Sequence, residues 1–139
     1  MFKYIVLFIL VCCFGCSTSN SEPISIRFSA DSNKILISNI DPAGLYQIKN
    51  NIKTDTMYQK LVSVLQTPAE DDSVSMEMDW PGTLSVAGDS LVFIPNKPFV
   101  KGKNYLVETI INSKFASGAD ILKSDVGRSL KPQQKTLIR

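Results

Sequence analysis

The most reactive side chains of the 139-residue chain are three cysteines, Cys12, Cys13 and Cys16, which fall close together near its start. Thiols so spaced can form a disulfide, ligate a soft metal or act as nucleophiles once ionised. Histidine is absent, and with it the commonest general base near neutral pH and the commonest metal ligand. A second concentration of chemistry is acidic: Glu70, Asp71, Asp72, Glu77 and Asp79 lie between positions 70 and 79 with no basic residue among them. Calcium needs several such carboxylates converging with backbone oxygens, and the Asp-x-Asp-x-Asp-Gly spacing of a helix-loop-helix site does not occur. Glycoside hydrolysis needs two carboxylates facing one cleft. Alternation instead sets Glu77 and Asp79 on the solvent face of a strand and leaves the other three in a solvated loop. There is no Gly-x-Ser-x-Gly elbow, no Ser-x-x-Lys pair and no Gly-rich phosphate loop after a strand. We therefore expect no catalytic residues, no metal and no cofactor.

The cysteines take their meaning from the segment that holds them. Lys3 is followed by an apolar run over residues 4–14, and small and polar residues begin at Gly15. A charged end, a short apolar middle and a small-residue exit are the layout of a signal peptide, and the run is too short to span a bilayer. Cys13-Phe14-Gly15-Cys16 resembles the lipobox of bacterial lipoproteins in its last two places and departs from it at Cys13 and Phe14. Only Cys16 follows a small residue. The resemblance implies cleavage before Cys16, lipidation of its sulfur, a signal peptide over 1–15 and a polar tether over 16–23. Loss of the first 15 residues removes one charge, Lys3, and changes the balance from 15 basic and 13 acidic residues to 14 and 13. Such a near-neutral chain is not expected to bind nucleic acid.

What must position any remaining chemistry reads as β structure, in one domain over 24–113 with an extension over 114–139. Residues 24–28 alternate apolar and polar, 31–34 make a turn, and 35–40 read as a second strand. Asp41-Pro42-Ala43-Gly44 reads as a break, 45–48 as a short strand and 49–55 as polar loop. Over 57–65 the spacing predicts a helical turn running into a strand. Val74, Met76, Met78 and Trp80 alternate with polar residues and predict a strand with one apolar face. Residues 83–86 and 91–94 flank Gly88-Asp89 as a hairpin, and 105–111 reads as the last long strand. Short strands with frequent turn signals predict an all-β antiparallel sandwich, with a small β-barrel as the alternative.

The stretch 91–105 resembles the signature of bacterial Ig-like domains of the SbsA type, in which a strand ends in Phe-x-Pro and an apolar residue, Gly and Tyr introduce the next. Here these are Phe93, Pro95, Phe99, Gly102 and Tyr105. The resemblance implies an Ig-like fold with a tyrosine corner, where Phe99 plugs the core, Gly102 permits a tight crossing and Tyr105 buries its ring while its hydroxyl bonds backbone. Together with the lipobox and Ser-rich tether it is also similar to small lipoproteins of the Bacteroidota. Only Glu22 is acidic just after Cys16, and this favours the periplasmic face of the outer membrane over the cell surface.

The basic tail, Arg128, Lys131, Lys135 and Arg139, reads as an exposed terminus or as a contact for anionic lipid. Residues 115–122 read as a short turn or helix on the sandwich. The expected function is a lipid-anchored, non-catalytic binding module for a protein or glycan of the cell envelope, acting through loops or a sheet edge. A structural subunit of an envelope assembly and a small hydrolase are the alternatives. An unpaired edge along 106–111 would favour a protein partner.

Overall fold

In the computed structural model, residues 23–69, 72, 74–111 and 132–139 are described. Among the described residues eight strands form two antiparallel sheets: β1 (Ser25–Phe28), β2 (Ile35–Ser38), β3 (Val62–Thr67), β4 (Met78–Asp79), β5 (Gly82–Ala87), β6 (Ser90–Pro95), β7 (Asn104–Thr109) and β8 (Gln133–Ile138). One sheet has the order β1-β2-β6-β5 and the other β4-β3-β7-β8. Alternation along each strand sends one set of side chains inward. Ile26, Ile35, Ile37, Leu84, Leu91 and Phe93 come from the first sheet and Val62, Val64, Tyr105, Val107 and Leu137 from the second, and all belong to one buried cluster. The two sheets are therefore packed face to face around a single core.

Between β2 and β3 the chain is helical. The helix α1 (Pro42–Asn51) replaces both the expected break at 41–44 and the expected strand at 45–48. Asp41 and Pro42 are start signals as well as breakers: the Asp41 carboxylate accepts the amides of Ala43 and Gly44 at 3.0 and 3.2 Å, and Pro42 sits where no amide is needed. Leu45, Ile48 and Ile52 then fall on one helical face, against the core. The next segment follows expectation. A 3₁₀ turn over Thr56–Leu61 runs directly into β3.

Two further departures concern the second sheet. The strand expected over 74–80 is reduced to Met78 and Asp79, which pair with Gln66 and Leu65 at the end of β3. Upstream of them the chain has no partner strand among the described residues, so Val74, Met76 and Met78 stand exposed and only Trp80 reaches the core. The other departure is at the C-terminus, where residues 133–138, expected in an exposed extension, pair with β7 throughout as β8. As a result β7 lies between β3 and β8, and residues 106–109 are not an unpaired edge. The strand expected over 105–111 stops at Thr109, whose buried hydroxyl accepts the amide of Ile111 at 3.1 Å and donates to the Leu61 carbonyl at 3.0 Å. The stretch 115–122, Arg128 and Lys131 lie outside the described residues.

The β5–β6 hairpin forms as its sequence predicts. Ala87 pairs with Ser90 across a two-residue turn, and Gly88 takes φ +62°, which mirror-image hairpin turns require. Gly82, at the start of β5, has a different reason to be glycine. A Cβ there would come within 2.5 Å of both the Ile94 carbonyl oxygen and the Phe93 ring. Because the Phe93 ring is buried and the carbonyl belongs to the ladder, neither can yield cheaply. Gly82→Ala is expected to destabilise the sandwich by about 1–3 kcal/mol, measured by urea unfolding. An unchanged midpoint would show that the ring moves aside freely.

Candidate functional site

The residues singled out around the crossover meet in one aromatic cluster. Tyr105, the second residue of β7, is completely buried, and its hydroxyl accepts the amide of Val100 at 2.8 Å. Phe99 packs edge-on to its ring with centroids 4.7 Å apart, Trp80 does so at 5.3 Å and Phe28 at 6.4 Å. Gly102 adopts φ +78° with open space around its Cα, so the turn needs glycine for its backbone conformation rather than for room. The same turn holds the end of the chain: the Gly102 amide donates to the Arg139 carbonyl at 2.7 Å and the Arg139 amide to the Lys103 carbonyl at 3.0 Å. Trp80 is tied in by its indole N–H, which donates to the Lys97 carbonyl at 3.2 Å. Their combined effect is to fasten the crossover between sheets. Tyr105→Phe leaves the Val100 amide without its partner and should cost about 1–2 kcal/mol in urea unfolding. Equal stability of the two proteins would mean that water replaces the hydroxyl.

A second feature has no signal in the sequence. Between α1, the 3₁₀ turn and β5 lies an open groove of about 830 Å³, lined among others by Lys49, Lys53, Gln59, Thr83, Ser85 and Val86. At its base Gln59 acts as a short strand. Its Oε1 accepts the Leu84 amide at 2.8 Å, while its Nε2 donates to the Leu84 carbonyl at 3.2 Å and to the Ile52 carbonyl at 3.1 Å. One carboxamide thus satisfies both outward backbone groups of Leu84 on the edge strand β5 and ties that edge to the segment after α1. Replacing Gln59 with Ala should lower stability by about 1 kcal/mol and speed exchange of the Leu84 amide by hydrogen-exchange NMR. Retained protection of that amide would assign it another partner.

The described part of the acidic segment is held at Asp72 and again at Trp80. Asp72 accepts the amides of Val74 and Ser75 at 3.1 and 3.0 Å. The Ser75 hydroxyl first, then these amides, hold its carboxyl below the ordinary carboxylate range, with a smaller contribution from Lys103. At the other end the Trp80 amide donates to the Val64 carbonyl at 2.8 Å, next to the β3–β4 pairing. Glu77 and Asp79 are exposed. Among the described residues no three acidic, Cys or His side chains gather closely enough to hold a metal ion. Glu70 and Asp71 lie outside the described residues, as do Cys12, Cys13 and Cys16. The apolar residues of the segment give it its character, since Val74 is 89% and Met76 88% exposed.

Comparison with known proteins finds no matching family model, no matching curated protein and no matching solved structure. Among the described residues no helix is long and apolar enough to cross a membrane.

Proposed function

We propose that this chain is a lipid-anchored protein of the bacterial cell envelope, held at Cys16, whose Ig-like sandwich is a non-catalytic module for binding another envelope component. Support for the Ig-like assignment comes from strand order. With β1, β2, β5 and β6 as strands A, B, D and E, and β3, β7 and β8 as C, F and G, the two sheets have the Ig arrangement, with β4 as an added C′ edge. Tyr105, near the start of strand F and bonded five residues back to Val100, has the position and the bond of a tyrosine corner. The outer membrane, with the domain on the periplasmic side, is the location that agrees with the sparse acidity after Cys16.

The observation that carries the binding role is the apolar segment 74–78, left in water on a sandwich whose other large side chains are mostly packed. Its placement suits that role. The chain enters β1 at Ser25, whereas β4 leads into Trp80, which clusters with Phe99 and Tyr105 beside Phe28, at the opposite end of β1. A domain tethered through residues 16–23 would carry this segment away from the membrane. A protein or glycan partner is reached there without competition from lipid.

The anchor is tested by Cys16→Ala. The substitution should abolish metabolic labelling with a palmitate analogue and leave the precursor uncleaved by signal peptidase II. Labelling at the wild-type level would remove the lipoprotein assignment.

A further inference from the structure

The end of the sandwich at which the chain enters is the end that α1 crosses. β1 begins at Ser25, opposite Ser38 at the end of β2. The Asn39 side-chain amide donates to the Pro23 carbonyl at 3.3 Å, and α1 starts at Pro42. Together with the 3₁₀ turn it forms the crossover from β2 in the first sheet to β3 in the second. Leu45, Ile48 and Ile52 face the core. Beside them Tyr46, Lys49 and Lys53, at i, i+3 and i+7, form one exposed ridge. Tyr46 is 67% exposed, and neither lysine ammonium has a hydrogen bond or ion pair among the described residues.

Charge on this ridge has one sign, since residues 42–54 contain no carboxylate. The two that flank it are turned to backbone: Asp41 caps α1, and Asp55 accepts the Met57 amide at 2.9 Å. Elsewhere at this end Lys60 and Asp89 are exposed, and Glu108 accepts bonds from Gln134 and Ser63 on the outer face of the second sheet. Outside the described residues, 112–131 add four basic and two acidic residues, and the tether adds Glu22.

We infer that the α1 ridge docks on an anionic lipid surface, with Tyr46 at the headgroup level and Lys49 and Lys53 on lipid phosphates. This rests on the lipid anchor proposed at Cys16 and gives the anchored domain an orientation. Seven residue steps separate Cys16 from Pro23, at most about 25 Å of chain, so the entry end stays near the surface. Contact across so short a tether is intramolecular in effect, and even weak attraction populates it. The side chains suit that neighbour. A tyrosine ring favours the boundary of lipid and water, and a lysine lays its apolar stem along it while the ammonium reaches phosphate. Each cation so placed adds attraction to an anionic leaflet.

The full chain, purified from membranes in detergent, carries an environment-sensitive dye at Asn50→Cys, an exposed position on α1. It is reconstituted into vesicles of phosphatidylcholine, and into vesicles of equal parts phosphatidylcholine and phosphatidylglycerol. In the anionic vesicles the emission should shift to the blue and acrylamide quenching should fall. Salt at about 1 M, where the screening length is about 3 Å, should reverse both. Dye at Asn96→Cys, just beyond β6 at the opposite end, should give the same signal in the two kinds of vesicle. Lys49→Gln with Lys53→Gln should abolish the response at position 50, and Lys49→Arg with Lys53→Arg should keep it. A response equal in both vesicles, or retained by the Gln variant, would overturn the proposal. So would a response to soluble alginate in phosphatidylcholine vesicles, because the groove that Lys49 and Lys53 line would then hold an acidic glycan. A signal that grows with protein concentration in detergent alone would overturn it too, in favour of a second copy. The anchor is read separately: the unsubstituted chain should float with the vesicles and take up no dye, since lipidation and cleavage at Cys16 leave no free thiol. A chain that takes up dye and does not float would remove anchor and docking together, whereas a floating chain silent at position 50 would remove the docking alone.

Discussion

A tyrosine placed in a core can bury its ring freely, but its hydroxyl must find a partner or cost the domain what it lost in leaving water. Tyr105 meets that condition with one bond, from the Val100 amide, and much of the molecule is arranged around it. For Val100 to turn its amide inward the crossover must bend sharply, which it does through the left-handed conformation of Gly102. The bend brings Phe99 against the tyrosine ring and leaves Trp80 and Phe28 to close the end of the core. It also presents the Gly102 amide and the Lys103 carbonyl to Arg139, so the final strand is held by the same turn. First sheet, second sheet and chain end are thus joined through one polar contact inside an aromatic cluster.

The edges of the sandwich follow a second constraint, that unpaired backbone attracts other strands. On β5 the answer is a side chain, since Gln59 imitates a neighbouring strand at Leu84. On β8 the answer is polarity. The β4 edge is only two residues long, and Val74, Met76 and Met78, in it and in the segment before it, remain in water. A small domain with no cysteine in the described part of the chain depends on its core alone, so leaving three such residues outside it forgoes burial that would stabilise the fold. That is the physical ground for assigning segment 74–78 a role in binding.

Local signals identified those elements whose cause is local. The β5–β6 hairpin follows from Gly88 between two apolar runs, and the turn into β3 from the spacing of Met57 and Leu61. The helix α1 was also legible in principle, but Asp41-Pro42 serves equally as a breaker and as a cap, and only the docking of Ile48 and Ile52 on the core distinguishes the two. The segment 74–80 failed differently. Its period is that of a strand, yet a strand requires a neighbour, and β3 ends where Met78 begins to pair. For β8 the obstacle was composition, because a polar strand on an outer edge looks like a tail until β7 is placed beside it.

By itself the sequence determined the β class of the fold and the clustering of Phe99, Gly102 and Tyr105 at one crossover, because period, turn chemistry and side-chain volume are properties of short stretches. It also determined the acidity of residues 70–79 and the lack of histidine. Tertiary structure alone decided which apolar residues stay outside, which edges are closed and that the last strand belongs to the second sheet. Each of those depends on what lies across a gap of many residues. Gln59 shows this most plainly, since nothing near it in the chain reveals that Leu84, 25 residues away, supplies both its partners on β5.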